Sequence, residues 1–144
     1  MKYITVIDIN TEERVEIYSK ERTELVNKIE SLIDNDSLVI IGKKDNENYL
    51  IDINEVERIF LENNKTYVSI KNEHYQIKYR LYQLEEKLGN DFIKINQSCL
   101  ANKQYISKFE SSWGGSLLIV FKNKEKDYVS RRQVKYVKER LGVK

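Results

Sequence analysis

From Leu38 onward the sequence is divided into short strand-like segments separated by polar turns, and this rhythm constrains the fold more than any other feature. The strand-like runs are rich in β-branched and aromatic residues, and the turns between them in Asn, Asp, Lys and Glu. Strands this short, joined by turns this tight, favour an antiparallel sheet, because parallel neighbours need a crossover of a dozen or more residues. We therefore expect a mainly β (α+β) protein.

Three segments carry helical spacing instead, namely residues 20–34, 81–88 and 131–141. In each, apolar residues recur three or four positions apart, which places them on one face of a helix. These residues are Leu25, Ile29, Leu32, Ile33, Leu81, Leu84, Leu88, Val134, Val137 and Leu141. Gly89 and Gly142 follow the second and third segments, where glycine commonly ends a helix.

Residues 1–36 differ from the rest of the chain. Residues 2–9 alternate apolar and polar side chains, and residues 15–18 form another short extended run before the first helix. We interpret this part as a small, acidic strand-strand-helix unit and residues 37–144 as the main domain. The role of residues 1–36 is left open between a docking surface, an oligomerisation patch and a solubilising cap.

The composition excludes several protein classes. The 144 residues are enough for one ordinary domain with a small appendage, and no apolar run approaches the roughly 18 residues that a membrane span needs. The alternating start reaches Asp8 too early for a signal peptide, so we expect a cytoplasmic protein that is not inserted in a membrane. One His and one Cys cannot supply a Cys/His zinc site, and we expect neither metal nor cofactor.

Enzyme chemistry has little support in the sequence. His74 lies in a predicted hairpin turn, where we expect it to be solvated, and Cys99 is interpreted as a buried, inert thiol. The run Trp-Gly-Gly-Ser at 113–116 lacks the lysine and the spacing of a phosphate-binding loop. We predict that the protein is not an enzyme.

Charge is unevenly distributed along the chain. Residues 1–91 hold 13 basic and 19 acidic side chains, a net charge of −6, whereas residues 92–144 hold 12 and 4, a net charge of +8. Such a split indicates that the basic part, residues 92–144, binds a polyanion, while the acidic part is repelled by it. A chance distribution of solvated lysines explains it equally well.

Two adjacent arginines in the basic half form the first candidate site. Ser130 followed by Gln133 has the pattern of a capping box, which would place Arg131 and Arg132 in the first turn of the last helix. Cations there oppose the helix dipole, but beside unpaired helix amides they suit a phosphate or a guanine edge. Two solvated arginines are the alternative.

A second candidate site lies between Phe92 and Ile106, where the polar side chains are amides, a hydroxyl and cations. No acid occurs from Lys94 to Lys108. Asn and Gln can make paired contacts with adenine, and Lys can meet guanine or phosphate. A polar loop between strands would explain the same residues. The side chains in question are Lys94, Asn96, Gln97, Ser98, Asn102 and Lys103.

These segments resemble the LytTR-type DNA-binding domain of bacterial transcription regulators. The resemblance rests on residues 92–102, Ile106 and residues 128–132, with further likeness at 59–68 and 81–88, and it covers about residues 38–142. It implies an elongated antiparallel β fold with short helices rather than a helix-turn-helix. It also implies a sequence-specific regulator whose loops enter successive major grooves at paired repeats, usually as two copies.

The resemblance places DNA contacts in three loops, at residues 63–66, 94–98 and 131–132. Relatives commonly have a basic residue or His where Asn96 stands, and often Arg where Gln97 stands, so their preferred operator cannot be transferred. The predicted DNA-contacting residues are Asn64, Lys65, Lys94, Asn96, Gln97, Ser98, Arg131 and Arg132.

The resemblance also sets expectations about partners. Double-stranded DNA and a second copy of the chain are expected, and the likeness is to stand-alone members that carry no receiver domain. Some of these are encoded beside a small membrane protein. The activity of the present protein would then be controlled either by a regulatory membrane-protein partner or by the amount of the protein itself. The alternative function is a protein-interaction or sensing module that keeps the fold without sequence-specific DNA reading.

Overall fold

The computed structural model describes residues 4–10, 14–34, 38–111 and 113–142. Most of the described chain is antiparallel β-structure, as the short segments and polar turns predict. The helices are α1 (Glu24–Asp34), α2 (Leu81–Lys87) and α3 (Val134–Leu141). The strands are β1 (Val39–Lys44), β2 (Glu47–Asp52), β3 (Arg58–Glu62), β4 (Lys65–Ile70), β5 (Glu73–Ile77), β6 (Phe92–Asn96), β7 (Cys99–Asn102), β8 (Ile106–Ser111), β9 (Leu117–Phe121) and β10 (Lys126–Val129).

The strands form two sheets. The larger has seven strands in the order β2-β1-β5-β4-β3-β7-β6, and the smaller has three in the order β10-β9-β8. Three of the hairpins turn through two residues that both have positive φ, between 49° and 69°. Such turns match the twist of the strands that they join, and Asn tolerates the left-handed backbone better than most residues. The turn pairs are Asp45–Asn46, Asn63–Asn64 and Lys71–Asn72.

The part of the seven-stranded sheet formed by β3, β7 and β6 is covered on both faces, which creates two cores. In the first core, on one face, Ile59, Val68 and Leu100 pack beneath Leu84 of α2. In the second core, on the other face, side chains from β3, β6 and β7 pack against the three-stranded sheet and α3. Because successive residues of a strand point to opposite faces, β6 contributes to both cores. Burial on both faces explains why these strands carry so many apolar residues.

The described part of the first 36 residues differs from the prediction. Residues 4–10 and 14–19 form no strand, so the two strands of the proposed strand-strand-helix unit are absent from the described residues. Alternation alone does not make a strand, because its main-chain groups also need a partner strand. Ile4, Ile7 and Ile9 are each about nine-tenths exposed.

The predicted first helix is present as α1, but it begins at Glu24 rather than near residue 20. Val26 is its buried residue among the side chains described, while Leu25 is 46% exposed. The side chains of Leu32 and Ile33, which the prediction placed on the same face, lie outside the described residues. Nowhere in the described ranges is a helix both long and apolar enough to cross a membrane.

Candidate nucleic-acid interface

Two of the predicted contact loops lie side by side at one end of the seven-stranded sheet. The β3–β4 turn at Asn63–Asn64 and the β6–β7 turn at Gln97–Ser98 are neighbours because β3 pairs with β7. The amide of Leu61 donates a hydrogen bond of 2.9 Å to the carbonyl of Ser98, just beyond the last paired residues. The main chain therefore fixes the distance between these two turns.

The third predicted segment joins the same end of the sheet. The amide of Ser130 donates a hydrogen bond of 2.9 Å to the carbonyl of Ile95, at the end of β6. Gln97 lies two residues beyond Ile95, and Arg132 lies two residues beyond Ser130. The two side chains on which the predicted site most depends are thus placed at one end of the molecule. We call the turns at 63–65, 97–98 and 130–132 the loop rim.

Most side chains of the loop rim are exposed and free to meet a ligand. Asn64 and Lys65 project from the β3–β4 turn, and Gln97 from the β6–β7 turn. Lys65, Arg131 and Arg132 form no ion pair with any residue that the structure describes. Unpaired surface cations beside amide side chains are suited to a duplex, whose phosphates and base edges accept hydrogen bonds.

Asn96, one of the predicted base contacts, is held inside the fold. It is 1% exposed, and its side-chain nitrogen donates to Asp127 Oδ1 at 3.0 Å and to the Tyr128 carbonyl at 2.8 Å. Its side-chain oxygen accepts the Ser98 amide at 2.7 Å. The Asn96 amide is occupied by these partners and does not face solvent, while its contact with DNA stays a prediction. In this structure Asn96 shapes the β6–β7 turn.

Lys94 is also placed away from the end of the sheet. Its side chain is 26% exposed, and Nζ lies 3.6 Å from Glu85 Oε2 of α2. The residue sits within β6, opposite Leu100 of β7, rather than in the turn that follows. In this structure Lys94 contacts α2, and its charge is partly compensated there. Ser98 is half-buried and contributes to the turn mainly through its main chain.

Arg131 and Arg132 are exposed, but the last helix does not begin with them. The helix starts at Val134, and its N-cap residue Gln133 makes no capping hydrogen bond through its side chain. The predicted capping box is therefore wrong. The physical reason is the hydrogen bond of Ser130 to Ile95, after which Gln133 N closes a turn on Ser130 O at 2.9 Å. The two arginines occupy that turn, so the helix dipole does not act on them as predicted.

A part-buried polar network between the two sheets was not predicted from the sequence. Arg58 Nε lies 3.0 Å from Glu125 Oε1, and Arg58 Nη1 lies 3.2 Å from Asp127 Oδ2. These two ion pairs join the seven-stranded sheet to the three-stranded one. Glu125 also accepts from Ser69 at 2.7 Å and lies 2.8 Å from His74. The available signal was that Glu125 and Asp127 are two of only four acids in an otherwise basic half.

His74 therefore differs from its predicted setting. It lies in β5, beyond the Lys71–Asn72 turn, with Nε2 2.8 Å from Glu125 Oε2. Its ring packs edge-on against Phe60, with ring centres 4.9 Å apart. The residue is exposed, as expected, with 39% of its side chain open to solvent, but it also has partners, and its contacts join the two sheets.

The network sets the ionisation of Glu125. Burial raises the pKa of its carboxyl group, but hydrogen bonds from Ser69, His74 and Arg58 outweigh burial and bring the pKa below its usual 4.5. The charged form is thus favoured near neutral pH. Glu125 can hold Arg58 as an ion pair under those conditions.

The one cysteine has the setting that the sequence predicted. Cys99 is fully buried in the second core, and burial raises the pKa of its thiol well above the ordinary 9.0. The thiolate is the reactive form of cysteine, and it is scarce at neutral pH when the pKa is high.

Comparison with known proteins identifies the family of this fold. A sequence model of the LytTr DNA-binding domain matches residues 46–142, about two-thirds of the chain. The chain belongs to the LytTr DNA-binding domain family. The LytTr match contains all three parts of the loop rim, all eight predicted contact residues and α2, while α1 lies outside it.

A solved structure has the same fold. It is the LytTr DNA-binding domain of a protein described as a methyl-accepting/DNA response regulator from Bacillus cereus. The match has a TM-score of 0.68 with 24% sequence identity, and it covers 72% of this chain and 96% of that one. At this identity the comparison establishes the LytTr fold.

Curated relatives match nearly the whole chain. A protein of Staphylococcus aureus (strain NCTC 8325 / PS 47) is 30% identical over 146 residues, covering 99% of both chains. Another, from strain MSSA476, is 30% identical over 135 residues and 92% of both chains. Both are named uncharacterized HTH-type transcriptional regulators. In the described residues of the present LytTr chain, strands separate each α-helix from the next, so no helix-turn-helix occurs there.

Proposed function

We propose that this protein is a sequence-specific DNA-binding transcription regulator that meets double-stranded DNA with the loop rim. The observation that carries the proposal is the pair of main-chain hydrogen bonds, Leu61 to Ser98 and Ser130 to Ile95. These bonds bring three exposed loops to one end of the sheet, where amide side chains and unpaired cations stand together. Membership of the LytTr DNA-binding domain family supports the same reading.

The exposed side chains divide into two roles. Gln97 and Asn64 carry amide groups, which can pair with the edge of adenine in the major groove. Lys65 is suited to phosphate, and Arg131 and Arg132 to phosphate or to guanine. Lys94 contacts α2, and Asn96 supports the β6–β7 turn from within the fold. In this assignment the phosphate contacts position the protein, and the amides select the sequence.

Two copies of the chain would occupy paired repeats in the DNA. Repeats whose centres lie one helical turn apart, about 34 Å, present their major grooves on one side of the duplex. Each copy would then place its loops in the major groove of one repeat. A regulatory membrane-protein partner would act on the cytoplasmic protein from outside this interface.

The proposal is tested by measuring binding to genomic fragments at several salt concentrations. A protein that neutralises about five to eight phosphates releases counterions, and its log–log slope of affinity against salt is roughly −4 to −7. We expect a preferred set of fragments and a slope in this range. Equal binding to preferred and random duplexes at physiological salt would overturn the proposal.

A second candidate function is a protein-interaction or sensing module that keeps the LytTr fold without reading bases. The observation that favours it is the exposure of large apolar side chains before α1, including Ile4, Ile7 and Ile9. Exposed apolar groups in one segment commonly mark a site of protein contact. The same fragment-binding experiment separates the two functions, since this module would show no preference for any duplex.

A further inference from the structure

A fourth cationic segment lies directly beside the loop rim, at the connection between β5 and α2. Strand β5 pairs with β4, and Ile77 stands opposite Thr66. Continuing this register by one residue places Lys78 next to Lys65, the first residue of β4. The connection at residues 78–80 therefore extends the loop rim on the side away from Arg131 and Arg132.

This connection is held in place by contacts with the fold. Tyr79 packs against the first core, and Lys87 Nζ lies 5.3 Å from the centre of its ring. The Arg80 amide donates to Gln83 Oε1 at 2.9 Å, and the Arg80 carbonyl accepts the Gln83 amide at 3.0 Å. The main chain on both sides of Tyr79 is thus fixed, so the neighbouring cations project from a defined position.

The side chains of Lys78 and Arg80 are exposed on either side of the anchored tyrosine. Neither forms an ion pair with a residue in the described ranges. Lys94 offers a contrast, because Glu85 of α2 partly compensates its charge. Two uncompensated cations on a fixed segment are suited to a polyanion that already lies against Lys65.

We propose that Lys78 and Arg80 contact DNA phosphates and position the protein on the duplex without selecting its sequence. This inference rests on the proposed function. Strands β5 and β6 are four strand spacings apart in the sheet, about 19 Å at about 4.8 Å each. That span exceeds the width of a major groove, about 12 Å, so a segment at the β5 end meets the sugar-phosphate backbone. Phosphate contacts supply affinity that is independent of sequence.

The same hairpin supplies a matched control. Lys71 lies in the β4–β5 turn, at the opposite end of these two strands from Lys78, and its side chain is also exposed. Replacing Lys71 by Ala removes one positive charge from the molecule without altering the sheet end that carries the loop rim. K71A removes half the charge that K78A/R80A removes, so twice its change in log affinity measures the effect of net charge, and any further loss in the double variant reports local contact.

The experiment compares the full-length wild type, the double variant K78A/R80A and the variant K71A. Affinity is measured by fluorescence anisotropy for a preferred genomic duplex and for a scrambled duplex, between 50 and 200 mM salt. Thermal unfolding of each protein confirms that the substitutions leave the fold intact. Loss of two phosphate contacts lowers the magnitude of the log–log salt slope by about 1.8.

We expect K78A/R80A to weaken both duplexes by the same factor and to leave the preference between them unchanged. The change in slope means that the ratio of wild-type affinity to variant affinity falls about tenfold between 50 and 200 mM salt. K71A is expected to keep the wild-type slope.

Three results overturn the inference. If K78A/R80A has the same salt slope as the wild type, these residues are not in the interface. The proposed function would still stand in that case, provided that the wild-type protein prefers one duplex. A loss confined to the preferred duplex would show that the pair selects sequence. A wild type that binds both duplexes equally would overturn the proposed function, and this inference with it.

Discussion

The side-chain nitrogen of Asn96 donates a hydrogen bond of 2.8 Å to the main-chain carbonyl of Tyr128. The same side chain accepts the amide of Ser98 at 2.7 Å, so one buried residue connects the β6–β7 turn to the segment that leads into Arg131 and Arg132. Two loops of the candidate interface thus depend on a residue that is itself 1% exposed.

Asn96→Ala is expected to destabilise the fold by about 2–3 kcal/mol. The substitution leaves buried partners without a hydrogen bond, and an unsatisfied buried polar group costs about 1–3 kcal/mol. Urea denaturation would measure the change in the free energy of unfolding. Gln97→Ala is the control, since Gln97 is exposed and its loss should change stability by no more than about 0.5 kcal/mol. Equal stabilities of the two variants would contradict the role given to Asn96.

Gln97→Ala should relax the preference for one base step while leaving contacts elsewhere intact, because a base-edge contact acts at one position. Lys65→Ala should weaken binding to all sequences alike, because a phosphate contact carries no sequence information. Selection of bound fragments from a random pool, followed by sequencing, would reveal both patterns. If the two patterns are exchanged, the assignment of specificity and positioning is reversed.

Arg132→Ala should weaken binding to a preferred duplex by about 1–3 kcal/mol, which is the usual cost of losing one paired contact. The side chain is exposed in a turn, so its loss should leave thermal unfolding nearly unchanged. Arg132→Lys separates two kinds of contact, because Lys keeps the charge but loses the planar, paired geometry. Unaltered affinity of the Ala variant would remove Arg132 from the interface.

Glu125 should make the stability of the fold depend on pH in the acidic range. Its pKa in the folded protein is lowered, mainly through hydrogen bonds that outweigh burial, so the carboxylate stabilises the fold above the unfolded pKa near 4.5. This stabilisation is lost as pH falls through the lower, folded-state pKa. Glu125→Gln should be less stable at pH 7 and show a flatter decline toward pH 3 in denaturant titrations. Parallel pH profiles for variant and wild type would contradict the prediction.

Deleting residues 1–36 is expected to leave the affinity for a single DNA site unchanged, as a solubilising cap would require. All described segments of the loop rim lie beyond residue 60, and the family match begins at residue 46. Gel-shift titrations on duplexes with one site and with paired sites would test this. Loss of cooperative occupancy at paired sites would show instead that the segment mediates self-association.

The hairpins were predictable because their signals are local. Residues such as Asn63 and Asn64 favour a left-handed turn, and the apolar strand residues on either side belong to the same short window. The same holds for α2, whose Leu81 and Leu84 are buried as their spacing predicts.

The features that escaped prediction depend on distant partners. The burial of Asn96 requires Asp127, 31 residues away, and the late start of α3 follows from the contact of Ser130 with Ile95. The strands predicted before α1 illustrate the converse, since their alternation was present but no partner strand pairs with the described residues there. Residue patterns indicate which face is apolar, but they do not state what will cover it.

The loop rim is held together by main-chain hydrogen bonds from Leu61 and Ser130, and such bonds form with almost any side chain at the exposed positions. In the proposed interface, side chains therefore recognise the DNA, while main-chain groups of the same loops hold the loops in position. Randomising Asn64, Gln97, Arg131 and Arg132 in a library should yield variants retargeted to new operators on an unchanged framework. Natural relatives could diverge in the genes that they control by the same route.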